Sequence, residues 1–194
     1  KGQLQIDKPS DEVIKRYLTN GDASILLKSR FSFFELAQKD LYSSSYLLKI
    51  KVKDASKLNL YFDDFKLSQE SELEISSPYS KEIIQISIEN SPNGGLFAVP
   101  ELQGDELILK YKGPNQGDVI EIEEVGYFPK SIDGIETSGF CQVDVNCEEG
   151  NDLQDQKKGV VRLLLRKTGS TVYCSGSLLN NTEKNCHPYI LTAE

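Results

Sequence analysis

The chain has 194 residues, room for one large core or two modest ones, and sets 22 Lys and Arg against 30 Asp and Glu for a net charge of −8. That balance repels nucleic acid and anionic membrane surfaces, and no apolar run approaches membrane-spanning length, so neither partner is expected. There is no methionine, and the chain opens on Lys1-Gly2-Gln3 with no basic start and apolar run, so a processed or truncated piece is expected, its signal peptide out of view.

Residues 1–45 are expected to form an N-terminal arm. Ser10 followed by Asp11, Glu12, Val13, Ile14, Tyr17 and Leu18 predicts a short amphipathic helix, capped by the serine and stopped at Asn20-Gly21. Ile25-Leu26-Leu27 and Phe31, Phe33 and Phe34 follow, apolar enough for strands or a packed arm but without a clean period. From Tyr46 the pattern is β. Leu48, Ile50 and Val52 alternate with lysines, Leu73 and Ile75 with glutamates, and Ile84, Ile86 and Ile88 with polar residues. Leu58 and Leu60, then Leu107, Leu109 and Tyr111, then Val119, Ile120 and Ile122 extend the series, with turns at Ser91–Gly95 and Gly113–Gly117. Short half-buried strands between regular turns predict an antiparallel β-sandwich over residues 46–130.

No chemistry rises above background in that segment. Asp63 and Asp64 point to opposite faces if they lie in a strand, and are read as a strand end or turn, not as calcium ligands. Tyr61, Phe62 and Phe65 are read as core aromatics before a sugar platform. Gly104-Asp105-Glu106 is a polar turn, because no helix follows it to bind an anion.

Residues 131–139, rich in small and polar side chains, read as a linker, and Lys130 before it is the candidate cleavage position for a trypsin-like or lysine-specific cut. A second unit over 140–194 begins at Phe140-Cys141 and Cys147 and passes through a very polar run. It continues as an apolar strand from Val160, a turn at Thr168-Gly169-Ser170 and a return strand through Cys174 to Leu178. Leu178-Leu179 and Tyr189-Ile190-Leu191 are expected to be buried strand segments, but these are too few strands to close a core. The four cysteines, Cys141, Cys147, Cys174 and Cys186, all fall here. They are disulfide candidates in an oxidising, secreted setting, with three pairings open. Their spacing lacks the short hooks of a zinc site, so no metal or cofactor is expected. His187, ahead of Pro188, reads as a turn residue, and Asn180-Asn181-Thr182 as turn chemistry although it matches a glycosylation acceptor.

The ordered motifs carry a resemblance. Cys174-Ser175-Gly176-Ser177-Leu178 followed by Leu191-Thr192-Ala193 looks like the strand pair that leads into the catalytic histidine of trypsin-fold serine proteases. With Cys141-x5-Cys147-x-Glu149-Gly150-Asn151, Gln154 to Val161 and Pro188-Tyr189, the segment 138–194 resembles the N-terminal third of the protease domain in secreted bacterial lysyl-endopeptidase-like enzymes. Leu58-x-Leu60-Tyr61-Phe62-x-x-Phe65-x-Leu67 and Gly104–Tyr111 are similar to that family's propeptide sandwich.

The resemblance implies a mainly β architecture, an antiparallel β-sandwich prodomain followed by an incomplete trypsin-like β-barrel. It further implies a secreted serine endopeptidase precursor acting on protein or peptide substrates after Lys or Arg, with a prodomain that contacts its own protease domain. None of the catalytic groups is present: the resemblance places the histidine, and then a cysteine, directly after Glu194, so the piece is expected to be inactive. It also implies that Cys174 pairs with that later cysteine and that Cys141 and Cys147 pair further along, and it leaves Cys186 unassigned. Ser175 and Ser177 are not a nucleophile elbow, since no strand-to-helix turn holds them. The alternative reading is a non-catalytic secreted β-sandwich that binds glycans or protein partners at its loops.

Overall fold

The computed structural model describes residues 1–40, 42–130, 148–179, 183, 187 and 189–193. In chain order the elements are β1 (Gln3–Ile6), α1 (Asp11–Thr19), β2 (Ser24–Ser32), α2 (Phe33–Leu36), β3 (Gln38–Lys39), β4 (Ser45–Val52) and β5 (Ala55–Lys66). There follow β6 (Glu72–Ser76), β7 (Ile83–Ile86), β8 (Phe97–Ala98), β9 (Leu102–Gln103), β10 (Glu106–Lys112) and β11 (Val119–Pro129). After residue 147 come a 3-10 turn (Glu148–Leu153), α3 (Gln154–Lys157), β12 (Val160–Lys167), β13 (Ser170–Leu179) and β14 (Tyr189–Thr192).

The strands form two sheets around one apolar core. The first runs β1-β4-β10-β6-β7, with β3 also on β4, and the second runs β12-β13-β2-β11-β5-β8, with β9 on β5 and β14 on β13. All the pairings are antiparallel except β1 with β4. Leu48, Ile50, Leu73, Ile75, Leu109 and Tyr111 fill the core from the first sheet, and Leu58, Leu60, Phe65, Ile120, Ile122 and Val125 fill it from the second. The fold is therefore a mainly β sandwich, and no closed barrel forms among the described residues. No helix among those residues is long and apolar enough to cross a membrane.

Residues 1–40 are woven into both sheets. Ser10 caps α1, its Oγ accepting from Val13 N at 3.4 Å, and the helix buries Ile14 against the core. β1 lies beside β4, while β2 is the strand against which β11 pairs. The arm expected there is thus part of the sandwich. β7 covers only Ile83–Ile86, and Ile88 lies exposed beyond it.

Two irregularities position side chains on the outer face of the second sheet. The register of β11 against β5 slips where Glu121 faces Asp64 but Ile122 faces Phe62, and again between Ile122 and Glu124. Each slip is a β-bulge, which puts an extra residue in one strand and reverses which parity points inward. Phe62 and Phe65 both reach the core across the first bulge, and Ile122 and Val125 across the second. The residues between them are Asp63-Asp64 and Glu123-Glu124. The aspartates expected at a strand end or turn instead lie inside β5: Asp63 holds Arg30 at 2.9 Å, and Asp64 Oδ1 accepts from Gly95 N at 2.6 Å.

Candidate functional site

The described residues from 148 onward are built on a hairpin. β12 and β13 pair from Val160 opposite Ser177 to Lys167 opposite Ser170, and the two-residue turn uses Gly169 at φ +79°. On its other side β13 pairs with β14, Gly176 facing Thr192 and Leu179 facing Tyr189. Gly176 is required by that approach. A Cβ there would stand 2.7 Å from Ile190 Cγ2 and 3.2 Å from the Leu191 carbonyl oxygen. The glycine of the Cys-Ser-Gly-Ser-Leu stretch therefore has a packing reason.

Cys174 carries a free thiol whose Sγ lies 3.4 Å from Thr192 Oγ1, and that hydroxyl donates to the Ser175 carbonyl at 2.9 Å. Cys141, Cys147 and Cys186 lie outside the described residues, as do residues 131–139, expected to be a linker, and Asn180, Asn181 and Thr182. Lys130 is exposed directly after β11, and His187 is exposed shortly before β14. Ser175 and Ser177 sit within β13, a strand and not an elbow. The apolar residues of these strands, expected to be buried, are exposed: Leu178 by 43 % and Leu191 by 62 %. They form strands as predicted, but nothing among the described residues packs over them.

The same hairpin is seated on the sandwich by its turn end. β13 pairs with β2 through Ser170 opposite Ile25 and Thr171 opposite Ser24. Ala23 N donates to the Thr171 carbonyl at 2.7 Å and Leu26 N to the Gly169 carbonyl at 2.9 Å. Beside them the buried hydroxyls of Ser24 and Thr171 meet at 2.6 Å, and Ser170 Oγ donates to Asp22 at 3.0 Å.

From this short pairing the hairpin reaches two acidic clusters on the sandwich. Arg166 Nε and Nη2 both donate to Glu124 Oε2, at 3.0 and 2.8 Å, and Nη2 also reaches Glu123 Oε2 at 2.8 Å. Adjacent residues of a regular strand cannot face one partner together; the bulge in β11 is what turns both carboxylates to the same guanidinium. Glu124's side chain is only 5 % exposed and Arg166's 37 %, with the guanidinium 5.6 Å from the centre of the Tyr61 ring. Burial pulls Arg166's pKa down, but Glu123 and Glu124 outweigh it, leaving it above its ordinary value.

The second cluster centres on Glu101, in the loop before β9. Its Oε1 accepts from Arg162 Nη2 at 2.5 Å, from the Tyr173 hydroxyl at 3.1 Å and from Lys57 Nζ at 3.5 Å. Burial pushes its carboxyl upward, but its own backbone N–H, Arg162, Tyr173 and Lys57 together hold it below the usual carboxylate value. Burial and then the Glu101 charge push the Tyr173 phenol up to about 12, so it remains a donor at neutral pH. Arg162 also lies 4.7 Å from the centre of the Tyr173 ring, which in turn faces Phe128 at 6.4 Å. The sequence reading missed both clusters. Its aromatic set divides: Phe62 and Phe65 are core, while Tyr61 lies on the opposite face beneath Arg166.

A separate cavity of about 660 Å³ opens on the first sheet, with Tyr42, Tyr46, Glu72, Glu74 and Lys112 among its lining residues. No group of three or more His, Cys, Asp or Glu side chains suited to a metal occurs among the described residues.

The site is thus a β-hairpin carried on an acidic sandwich face. Residues 135–194 match the family model for the lysyl endopeptidase C-terminal domain. The matched segment contains β12, β13 and β14, and the match supports a lysyl-endopeptidase-related protein, of protease type.

Proposed function

We propose that the chain comes from a secreted serine endopeptidase precursor of lysyl-endopeptidase type, cleaving after Lys or Arg in the intact protein. In this reading residues 1–130 are the prosegment and residues 140–194 begin a trypsin-like protease domain. The observation that carries it is the family match over 135–194, the segment that holds the hairpin and the Cys174 to Ala193 motifs. In this reading the catalytic groups are supplied by residues that follow this segment in the intact protein, and the segment alone is inactive. In such an enzyme a histidine takes the proton of a serine hydroxyl, an aspartate orients the imidazole, and backbone N–H groups hold the oxyanion. Cys174, whose thiol faces the end of β14 at Thr192, would pair with a cysteine that follows the histidine. Lys130, exposed after the last sandwich strand, is the activation cleavage position.

The test is to express the gene product that includes the residues following Glu194. It should hydrolyse lysyl ester and amide substrates, react with a serine-directed phosphonate, and release a fragment ending at Lys130 by mass spectrometry. A product with no histidine near Glu194, no phosphonate label and no hydrolysis overturns the reading. A second reading, a non-catalytic sandwich that binds glycans or protein partners, is favoured by the cavity on the first sheet, where Tyr42 is almost wholly exposed and acidic and basic side chains surround it. Retention on glycan arrays that Tyr42→Ala and Tyr46→Ala abolish would support it.

A further inference from the structure

The joint between sandwich and hairpin has the anatomy of an interface more than of a core. Only Ser170 and Thr171 of β13 pair with β2, so backbone bonding alone is short. The floor beneath the hairpin is polar, since Tyr61 lies under Arg166 and the buried Asn59 follows two residues away on the same strand face. What spans the gap is charge. Arg166 enters the Glu123–Glu124 pair and Arg162 the Glu101 site, each from the hairpin to the sandwich. Lys167 adds a contact to Asp22 at 3.4 Å. Sandwich acids facing hairpin bases form an oriented, complementary pair of surfaces. Such pairs set register and hold separate bodies together.

We infer that the outer face of the second sheet is a docking surface for the β12–β13 hairpin, with Arg166 as its anchor, and that the sandwich stays bound to the hairpin after the chain is cut between them. The partner is this chain's own C-terminal segment, recognised by its arginines. This rests on the reading of residues 1–130 as a prosegment, and it adds that cleavage at Lys130 does not by itself release that prosegment. Arg166 is a positioning residue here. It touches no substrate and acts by seating β12 and β13.

The experiment replaces residues within 131–139 by a site for a sequence-specific protease in the full chain, nicks the folded protein and measures whether the halves co-elute. The nicked wild type is expected to run as one species at low salt and to bind more weakly, without separating, in molar salt, because the arginines are partly exposed and screened while Glu124 and Glu101 are nearly buried and screened much less. Arg166→Ala leaves Glu124 buried and unpaired, and is expected to weaken association by about 30-fold or more. Arg166→Lys, which keeps the charge but loses one of the two donors, should fall between. Lys110→Ala, removing the Lys110–Glu74 pair on the first sheet, should change nothing. Circular dichroism of the uncut variants separates loss of docking from loss of the fold. Halves that part at low salt in the wild type, or that stay together equally well in wild type and Arg166→Ala, overturn the inference. The outcome is read without catalysis, so the protease reading stands or falls separately on phosphonate labelling of the longer product.

Discussion

The two regions of this molecule bury their apolar residues to very different extents. In the sandwich, Leu48, Ile50, Phe65, Leu73, Leu109 and Tyr111 are sealed from solvent. In the hairpin segment, Val160, Leu178, Leu179, Tyr189, Ile190 and Leu191 stand exposed. The difference teaches that regular strand pairing does not by itself make a stable unit. β12, β13 and β14 are well registered, yet their apolar faces gain nothing from being strands until something covers them. The sandwich is held by its core, and the hairpin by its seat on the sandwich.

The largest test of that contrast is a pair of truncations. Phe65→Ala removes a fully buried ring packed 4.9 Å from those of Phe62 and Phe97, and should destabilise the whole chain by about 3–5 kcal/mol in urea. Leu191→Ala should shift the same transition by no more than about 0.5 kcal/mol. Comparable losses would mean that the hairpin segment carries a core of its own.

Gly176→Ala sharpens the contrast from the other side. The added methyl meets Ile190 and the Leu191 carbonyl, a backbone atom that cannot move without opening β14. Overpacking of this kind costs about 1–3 kcal/mol, and since the methyl also comes within 3.2 Å of Val161 on β12 it is expected to fall on β14 first and on the hairpin next, not on the sandwich. Amide exchange should accelerate in residues 189–192 while β4, β5, β10 and β11 keep their protection. Acceleration throughout the sandwich would contradict it. Thr171→Val comes next: it strips Ser24 of its buried partner and should loosen the seat by about 1–2 kcal/mol, read as faster exchange through β12 and β13.

These predictions rest on features with very unequal signatures in sequence. The alternating strands of the sandwich were legible, because β4, β6 and β10 have one wet face and print a period of two. β2 was not, because it is covered on both sides: Ile25 joins the core, while Leu26 and Ser24 are also buried. A strand covered on both faces loses its alternation and reads as an apolar run. The bulges did leave a signal. Phe62 to Phe65 and Ile122 to Val125 each change the parity of the apolar positions, and each gap holds two adjacent acids. The Arg166–Glu124 and Arg162–Glu101 pairs left none, since the partners stand far apart in the chain and periodicity says nothing about who meets whom. Cys174 and Gly176 were legible as a motif, while the exposure of the strands around them depends on what covers them, which no local pattern records.

The smallest expected effect concerns pH at the Glu101 cluster. Facing that carboxylate are Arg162, Lys57 and the Tyr173 hydroxyl, and its folded pKa lies below its unfolded one, which is about 4.3 for a glutamate. A carboxylate depressed in this way contributes stability that is fully present above its unfolded pKa, and the contribution disappears as pH falls through the folded value. Glu101→Gln keeps an acceptor oxygen but not the charge. Because Arg162 is largely exposed and its pair partly screened, the variant should lose no more than about 1 kcal/mol at pH 7. As pH drops below about 4.3 the wild type loses the same charge, so the urea midpoints of the two proteins should converge. A gap of constant size down to pH 3 would show that Glu101 supports the hairpin by packing and not as an anion, and would leave Arg166 and Lys167 to carry the charged part of the seat.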